Sequence, residues 1–230
     1  MEGDDLTLPE IRVLQICSYY VGSSLYQNLF DSLEKLGVRQ DIYVFAREGC
    51  LLDQSWAKKN ILFAPCYRRY ERPFFGLKHK RVYDDIRKRA NLEQYDVIHA
   101  HSLFSNGFIA YRIHQLIGLP YVVAVRNTDV NLFFRRMPHL RGLGVEILRN
   151  AGRIIFISQP YKQYTLDCFI PKASKDMIRG KSVVVPNGID NFWHENSYVD
   201  RIPPEGKSLN IIYVGAVNRN KNIDATIIAC

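Results

Sequence analysis

The stretch Val183-Val184-Val185-Pro186-Asn187-Gly188-Ile189-Asp190 decides how this chain is read. Three β-branched valines predict a short buried strand. Pro186 ends its pairing, because proline has no N–H to donate. Asn187 and Gly188 both tolerate positive φ, so the chain turns sharply there. On spacing alone this is an ordinary exit from a strand. The residues downstream give it weight. A proline-rich bridge, Arg201-Ile202-Pro203-Pro204-Glu205-Gly206, leads to a fresh apolar run, Leu209 to Val214, then Gly215 and a polar loop. The pattern predicts a finished α/β domain over residues 1–200, a linker over 201–208, and the start of a second domain over 209–230. That second domain is expected to be truncated, since one strand and the Ile223 to Ala229 helix start cannot bury a core.

Upstream of that stretch, strands alternate with helices. Ile11 to Cys17 is a nearly unbroken apolar run, as expected for a strand buried on both faces of a parallel sheet. Further strands are expected at Asp41 to Ala46, Ile61 to Ala64, Tyr95 to His101, Tyr121 to Val125, Ile154 to Ile157 and Lys181 to Val185. Leu25, Leu29, Leu33 and Leu36 predict a helix that Gly37 closes. Other helices are expected from about Gly76 to Asn91, from Ser105 to Ile117, in part of Phe133 to Asn150, and from Pro160 to about Phe169. This alternation predicts a doubly wound parallel sheet of the Rossmann-like α/β class with right-handed crossovers.

Bulk properties narrow the function. No apolar run approaches the roughly eighteen residues of a membrane span. The acidic start, Met1 to Asp5, lacks the layout of a signal peptide. The five cysteines are scattered with no C-x-x-C pair, which suits free thiols in a cytoplasmic protein rather than disulfides or a zinc site. The net charge of +8 is uneven. Tyr67 to Arg89 holds nine Lys/Arg against three acids, so that segment alone carries +6. Tyr67, Tyr70, Phe74, Phe75 and Leu77 interleave it. Three readings compete for it: a solvated helix face, binding to an anionic membrane surface, and binding to nucleic acid. No nucleic-acid motif supports the last.

In an open parallel sheet, ligands bind beyond the carboxyl ends of the strands. Those ends carry Ser18 to Ser24, His99 to Ser102, Arg126-Asn127-Thr128-Asp129, Ser158 and Asn187-Gly188. Gly22-Ser23-Ser24 precedes a helix and could present backbone N–H groups to an anion. It is not G-x-G-x-x-G, and no acidic residue closes the second strand, so a nicotinamide dinucleotide is disfavoured. The Walker and G-x-S-x-G patterns are absent. His99 and His101 are expected on opposite faces of the sheet, with His101 toward the cleft, which argues against a shared metal. In the loop Gly215 to Asn222, Arg219 and Lys221 are cations suited to a diphosphate leaving group.

These residues together resemble glycosyltransferase family 4, whose members have the two-domain GT-B fold. The likeness rests on the Gly22 loop, Tyr95-Asp96-Val97-Ile98-His99-Ala100-His101, Ile154 to Ser158, Val185 to Asp190, and Tyr213-Val214-Gly215 with Lys221 six residues on. It spans about residues 11 to 224. The resemblance implies a nucleotide-sugar donor held by the second domain and a glycan or lipid-linked acceptor held by the first. It implies transfer with retention, usually without a bound metal, often at the cytoplasmic face of a membrane, in surface-polysaccharide or glycolipid synthesis. No other cofactor is expected. Arg126, Asp129 and His101 would be the catalytic set, with Asp129 in a polar or general-base role toward an acceptor hydroxyl. Gly22, Ser23, Ser24, Asn127, Ser158, Asn187, Arg219 and Lys221 would bind substrate. Two positions depart from the family pattern. Ala216 replaces the Arg that commonly follows the second-domain glycine, and Arg126 replaces a common His. The fragment alone is expected to be inactive. The rival expectations are a nucleotide-binding module of the same fold without transfer chemistry, and a membrane-surface module acting through residues 67–89.

Overall fold

The computed structural model describes residues 11–58, 60–197, 212–215, 217 and 221–229. The chain divides into two units, Met1–Asp190 and Asn191–Cys230.

The first unit is a parallel sheet wrapped by helices. Its strands are β1 (Arg12–Ile16), β2 (Arg39–Arg47), β3 (Ile61–Tyr67), β4 (Val97–Ala100), β5 (Tyr121–Val125), β6 (Arg153–Phe156) and β7 (Ser182–Val184). They lie in the order β3-β2-β1-β4-β5-β6-β7, and every pair is parallel. Its α-helices are α1 (Ser24–Lys35), α2 (Phe75–Arg89), α3 (Gly107–Ile117), α4 (Arg141–Asn150), α5 (Gln159–Cys168) and α6 (Lys172–Gly180). The predicted α/β class and doubly wound sheet are therefore observed. The strand order reverses between β1 and β4, and such a reversal opens a crevice at the carboxyl ends of the two strands.

The apolar runs are long because both faces of the central strands are covered. On one face, Leu14 and Ile16 join Val82 and Ile86 of α2 and Ile109 and Ile113 of α3, all fully buried. On the other, Ile42 and Val44 pack with Tyr26 and Phe30 of α1. Burying one such side chain stabilises the fold by about 1.5–3 kcal/mol. In α1 the buried stripe is Tyr26 and Phe30, while Leu36 is exposed. Gly37, at φ +82°, takes the left-handed turn that ends this helix.

Three expectations are corrected. The valine strand is not buried: Val183 is 44% and Val185 52% exposed. Among the described residues it is the last strand of the sheet and pairs only with β6. Phe133 to Asn150 is helical in part, as expected, with α4 filling its second half. A π-helical turn, Asp129–Phe134, and a 3-10 turn, Pro138–Leu140, precede α4. Helix α6 was not expected, because its buried face is only Ser174 and Ile178, too short a stripe to show as periodicity. Of the expected strand Leu209 to Val214, residues 209–211 lie outside the described residues and Ile212–Val214 form no strand.

An aromatic ladder fixes the π-helical turn. Phe104 stacks on Phe133 at 4.6 Å between ring centroids, and Phe134 stacks on Phe169 at 5.2 Å. Gly144 of α4 lets the rings approach, since a Cβ there would lie 2.7 Å from Phe104 Cζ and 2.9 Å from Phe134 Cζ. The basic segment splits into the end of β3, a 3-10 turn (Arg69–Glu71) and α2. Among the described residues, Cys17, Cys50, Cys66 and Cys168 are free thiols. No helix among the described residues is long and apolar enough to cross a membrane.

Among its described residues, the second unit contains two short helices, α7 (Asn191–Glu195) and α8 (Ile223–Ala229). The linker 201–208 lies outside the described residues.

Candidate functional site

The carboxyl edge of the sheet is organised around Arg126, the residue just past β5. Its Nε donates to the His101 carbonyl at 3.2 Å, which ties it to the end of β4. Its Nη1 donates to Asn187 Oδ1 at 2.7 Å, which ties it to the turn after β7. The guanidinium also lies 5.7 Å from the Tyr26 ring centroid, over the first turn of α1. One cation thus gathers the ends of β4, β5 and β7 and the start of α1. The planar fork of arginine suits this, as its donors point along fixed directions.

Asp129 holds the adjoining backbone. It is 1% exposed. Its Oδ2 accepts from Leu103 N at 2.9 Å and from Arg126 N at 2.8 Å, and its Oδ1 accepts from Phe104 N at 3.1 Å. Both oxygens are therefore engaged with main-chain amides of the loop after β4 and of its own turn. Burial raises the carboxyl pKa to about 6, against the lowering effect of those three amides and Arg126. The sequence predicts a polar or general-base role for Asp129 toward an acceptor hydroxyl. In the structure this carboxylate positions the loop that carries Arg126, and it does not face an opening.

The two histidines are also corrected. Residues two apart on a strand return to the same face, and the His99 and His101 rings lie 4.0 Å apart. His101 is fully buried, not in the cleft. Its Nε2 bonds to Gln15 Oε1 at 2.9 Å, and its ring meets Tyr26 and Phe30 edge-on. Burial, then the neighbouring His99, pushes its pKa well below the ordinary imidazole value. His101 is a neutral core residue that supports α1. Among the described residues, no group of three His, Cys, Asp or Glu could hold a metal ion.

The remaining candidates fall in three places. Gly22 has φ +82° and is exposed, Ser23 caps α1 by position without a side-chain cap bond, and Ser24 is exposed in the first turn. Asn127 is exposed beside Arg126, and Asn187 is exposed while bonded to it. Ser158 caps α5, its Oγ accepting from Tyr161 N at 3.4 Å. Lys221 is exposed in the second unit, and Arg219 lies outside the described residues.

Among the described residues, a cleft opens at each edge of the sheet in the first unit. The cleft at the amino edge, about 730 Å³, is lined by Arg12, Arg39, Asp41 and Lys58 among others. The one at the carboxyl edge, about 980 Å³, runs from Ser18 and Tyr19 after β1, past Arg47 and Tyr67, to Thr128 beside Arg126. It reaches α2 at Phe75 and Lys78 and the π-helical turn at Leu132 and Phe133. Tyr19, Tyr26 and Lys78 lie at this edge without a signal of their own in the sequence. Aromatic residues past a strand read as loop or core, and a lysine within a basic helix reads as solvated. Only the excess of charge over Tyr67 to Arg89 signalled this wall.

The comparisons bear on both fold and family. A family model described as Glycosyltransferase Family 4 matches residues 23–191. The fold is similar to a protein from Listeria monocytogenes described as a UDP-N-acetylglucosamine 2-epimerase, with TM-score 0.52 and 16% identity over 69% of this chain and 42% of that one. A second UDP-N-acetylglucosamine 2-epimerase structure gives TM-score 0.54 and 11% identity over 78% of this chain and 49% of that one. A glycosyltransferase from Rickettsia africae gives TM-score 0.46 and 16% identity over 84% of this chain and 47% of that one. The chain therefore spans about half the length of the solved structures it resembles. Comparison with curated proteins gives no match. Since the family match runs over well more than half of its residues, the chain belongs to glycosyltransferase family 4.

Proposed function

We propose that the protein transfers a sugar from a nucleotide-sugar donor to an acceptor hydroxyl, with retention at the anomeric carbon. The setting is synthesis of a surface polysaccharide or glycolipid at the cytoplasmic face of the membrane. The observation that carries this reading is the gathering of strand ends by Arg126, beside an open cleft at the carboxyl edge. In this reading the first unit holds the acceptor. Arg126, Asn127 and Asn187, at the carboxyl ends of the strands, contact it there, and the uncapped start of α1 at Gly22 to Ser24 stabilises developing negative charge. Lys221, with Arg219, neutralises the donor diphosphate. No metal or other cofactor takes part.

The burial of Asp129 fits one route to retention. When configuration is kept, the incoming hydroxyl and the leaving diphosphate occupy the same face of the sugar. A phosphate oxygen can then take the hydroxyl proton, and no carboxylate of the first unit is required. Asp129 serves by positioning Arg126 and the loop after β4.

A surface role for residues 67–89 is compatible with transfer. Tyr70, Phe74 and Leu77 are 56%, 62% and 45% exposed and lie among exposed arginines and lysines. Basic heads with apolar anchors suit an anionic bilayer surface. Salt-sensitive sedimentation with phosphatidylglycerol vesicles, and none with phosphatidylcholine, is expected. Equal sedimentation with both removes this role.

The transfer itself is tested with the protein expressed from its whole reading frame. It is incubated with a panel of nucleotide sugars and an extract of lipid-linked and soluble glycans, and products are read by mass spectrometry and anomeric proton couplings. Donor-dependent product of unchanged configuration is expected. Absence of product with every donor, or inverted product, contradicts the proposal.

A further inference from the structure

The carboxyl-edge cleft has a one-sided charge. Arg47, Arg69, Arg72 and Lys78 line it, and no aspartate or glutamate does. The nearby carboxylates are committed elsewhere. Glu48 pairs with Arg68 at 3.3 Å, Glu71 with Arg81 at 2.5 Å and Asp85 with Arg89 at 2.8 Å. Among the described residues, none of the four cleft cations pairs with a carboxylate.

Lys78 is the most informative of the four. Its Nζ lies 5.4 Å from the Phe45 ring centroid and 5.0 Å from that of Tyr67. Burial, then the nearby Arg72, lowers its pKa. A half-buried ammonium beside a second cation, with only ring faces for company, is held at a cost. A bound anion would remove that cost. Tyr67, Phe75 and Phe133 also line the cleft and offer ring and apolar surface beside Lys78. Tyr70, Phe74 and Leu77 stand exposed on the same segment, where a lipid surface could meet it.

We propose that this cleft takes an acceptor bearing a phosphate or diphosphate group, with Lys78 and Arg72 as its anion ligands and the rings of Tyr67 and Phe75 as the wall for its uncharged part. That the bound molecule is an acceptor rests on the transfer reading above. The anion site itself does not.

The test measures binding by calorimetry on the chain with no donor present. The probes are inorganic pyrophosphate, farnesyl diphosphate and farnesol. Wild type is expected to bind both diphosphates and not farnesol. Lys78→Met and Arg72→Ala are each expected to weaken diphosphate binding by about tenfold or more, as loss of a charge-assisted contact does. Lys78→Arg should restore most of the affinity. Lys78→Met should fold with an unchanged or higher melting temperature, which separates lost binding from lost structure. Farnesyl diphosphate binding tighter than pyrophosphate identifies a lipid-linked group, and equal binding identifies a soluble phosphorylated one. No binding of either diphosphate overturns the proposal, as does equal binding by wild type, Lys78→Met and Arg72→Ala. Diphosphate binding without transfer from any donor would sink the transfer reading and leave the anion site. Transfer that neither diphosphate inhibits would sink the anion site alone.

Discussion

Arg126 Nη1 and Asn187 Oδ1 meet at 2.7 Å across 61 positions of sequence. The bond joins the end of β5 to the turn that leaves β7, and it belongs to the same cation that holds the β4 carbonyl. The turn at Asn187 is thus tied to the switch-point crevice and not left as a free exit loop. Replacing Asn187 by Ala removes one exposed, charge-assisted bond. The expected cost is about 0.5 kcal/mol, at the low end of the range because both groups reach water. Urea unfolding of the variant checks this, with an unchanged slope expected.

Asp129 is expected to be far less tolerant. Asp129→Asn puts an NH2 group against main-chain donors that now face a carboxylate oxygen. The expected loss is about 2–3 kcal/mol, from buried amides left without an acceptor. Hydrogen exchange at Leu103, Phe104 and Arg126 should rise in the variant well before global unfolding does.

Acid should destabilise the fold, by a balance of opposed groups. Burial, then Lys78, lowers the His79 pKa to about 4, and burial, then Arg126, does the same for His99. His101 is lowered as well. These imidazoles stay neutral in the folded chain, while the unfolded chain takes up protons below about 6.5. Their stability is complete above that value and is lost as pH falls toward 4. Asp129, raised to about 6, acts the other way: its contribution favours folding at low pH and fades as pH rises through 6. Each group changes stability by at most about 1.4 kcal/mol per pH unit, so three histidines outweigh one aspartate. Denaturant midpoints measured from pH 7 to 4.5 should fall. His79→Gln should flatten the slope, and a flat or rising profile in wild type contradicts the assignment.

Gly144→Ala should strain the aromatic ladder. The new methyl would meet the rings of Phe104 and Phe134, which are buried and stacked against further rings. A destabilisation of about 1–3 kcal/mol is expected from overpacking. Near-ultraviolet circular dichroism should change with it, because the stacked rings must shift. Gly142→Ala, where a Cβ meets nothing within 4 Å, is the neutral control.

The fold was legible because its strands are apolar on both faces. Leu14, Ile16, Ile98 and Val123 are fully buried, so their runs needed no alternation to be recognised. The carboxyl edge was legible for the same reason: where an apolar run stops, the sheet stops, and Arg126 and Asn187 follow such stops. Roles at that edge were not legible. His101 and Asp129 look like chemistry in one dimension, yet each sits at 1% exposure or less and holds backbone or core. Sequence reports that a polar residue ends a strand, not whether its side chain turns inward. Helix α6 escaped because a two-residue buried stripe carries no period. The valines of β7 misled because β-branching signals a strand but not whether that strand lies at an edge.

The most direct test compares the two edges of the sheet by transfer rate, in the protein expressed from its whole reading frame. Arg126→Ala removes the cation that gathers the carboxyl edge. Lys58→Ala removes an exposed pair with Asp31 beside the amino-edge cleft. The account predicts a fall of about 100-fold for Arg126→Ala, as expected when substrate-positioning groups shift, with the wild-type rate kept by Lys58→Ala. A wild-type rate in folded Arg126→Ala, or an equal fall in Lys58→Ala, would contradict it.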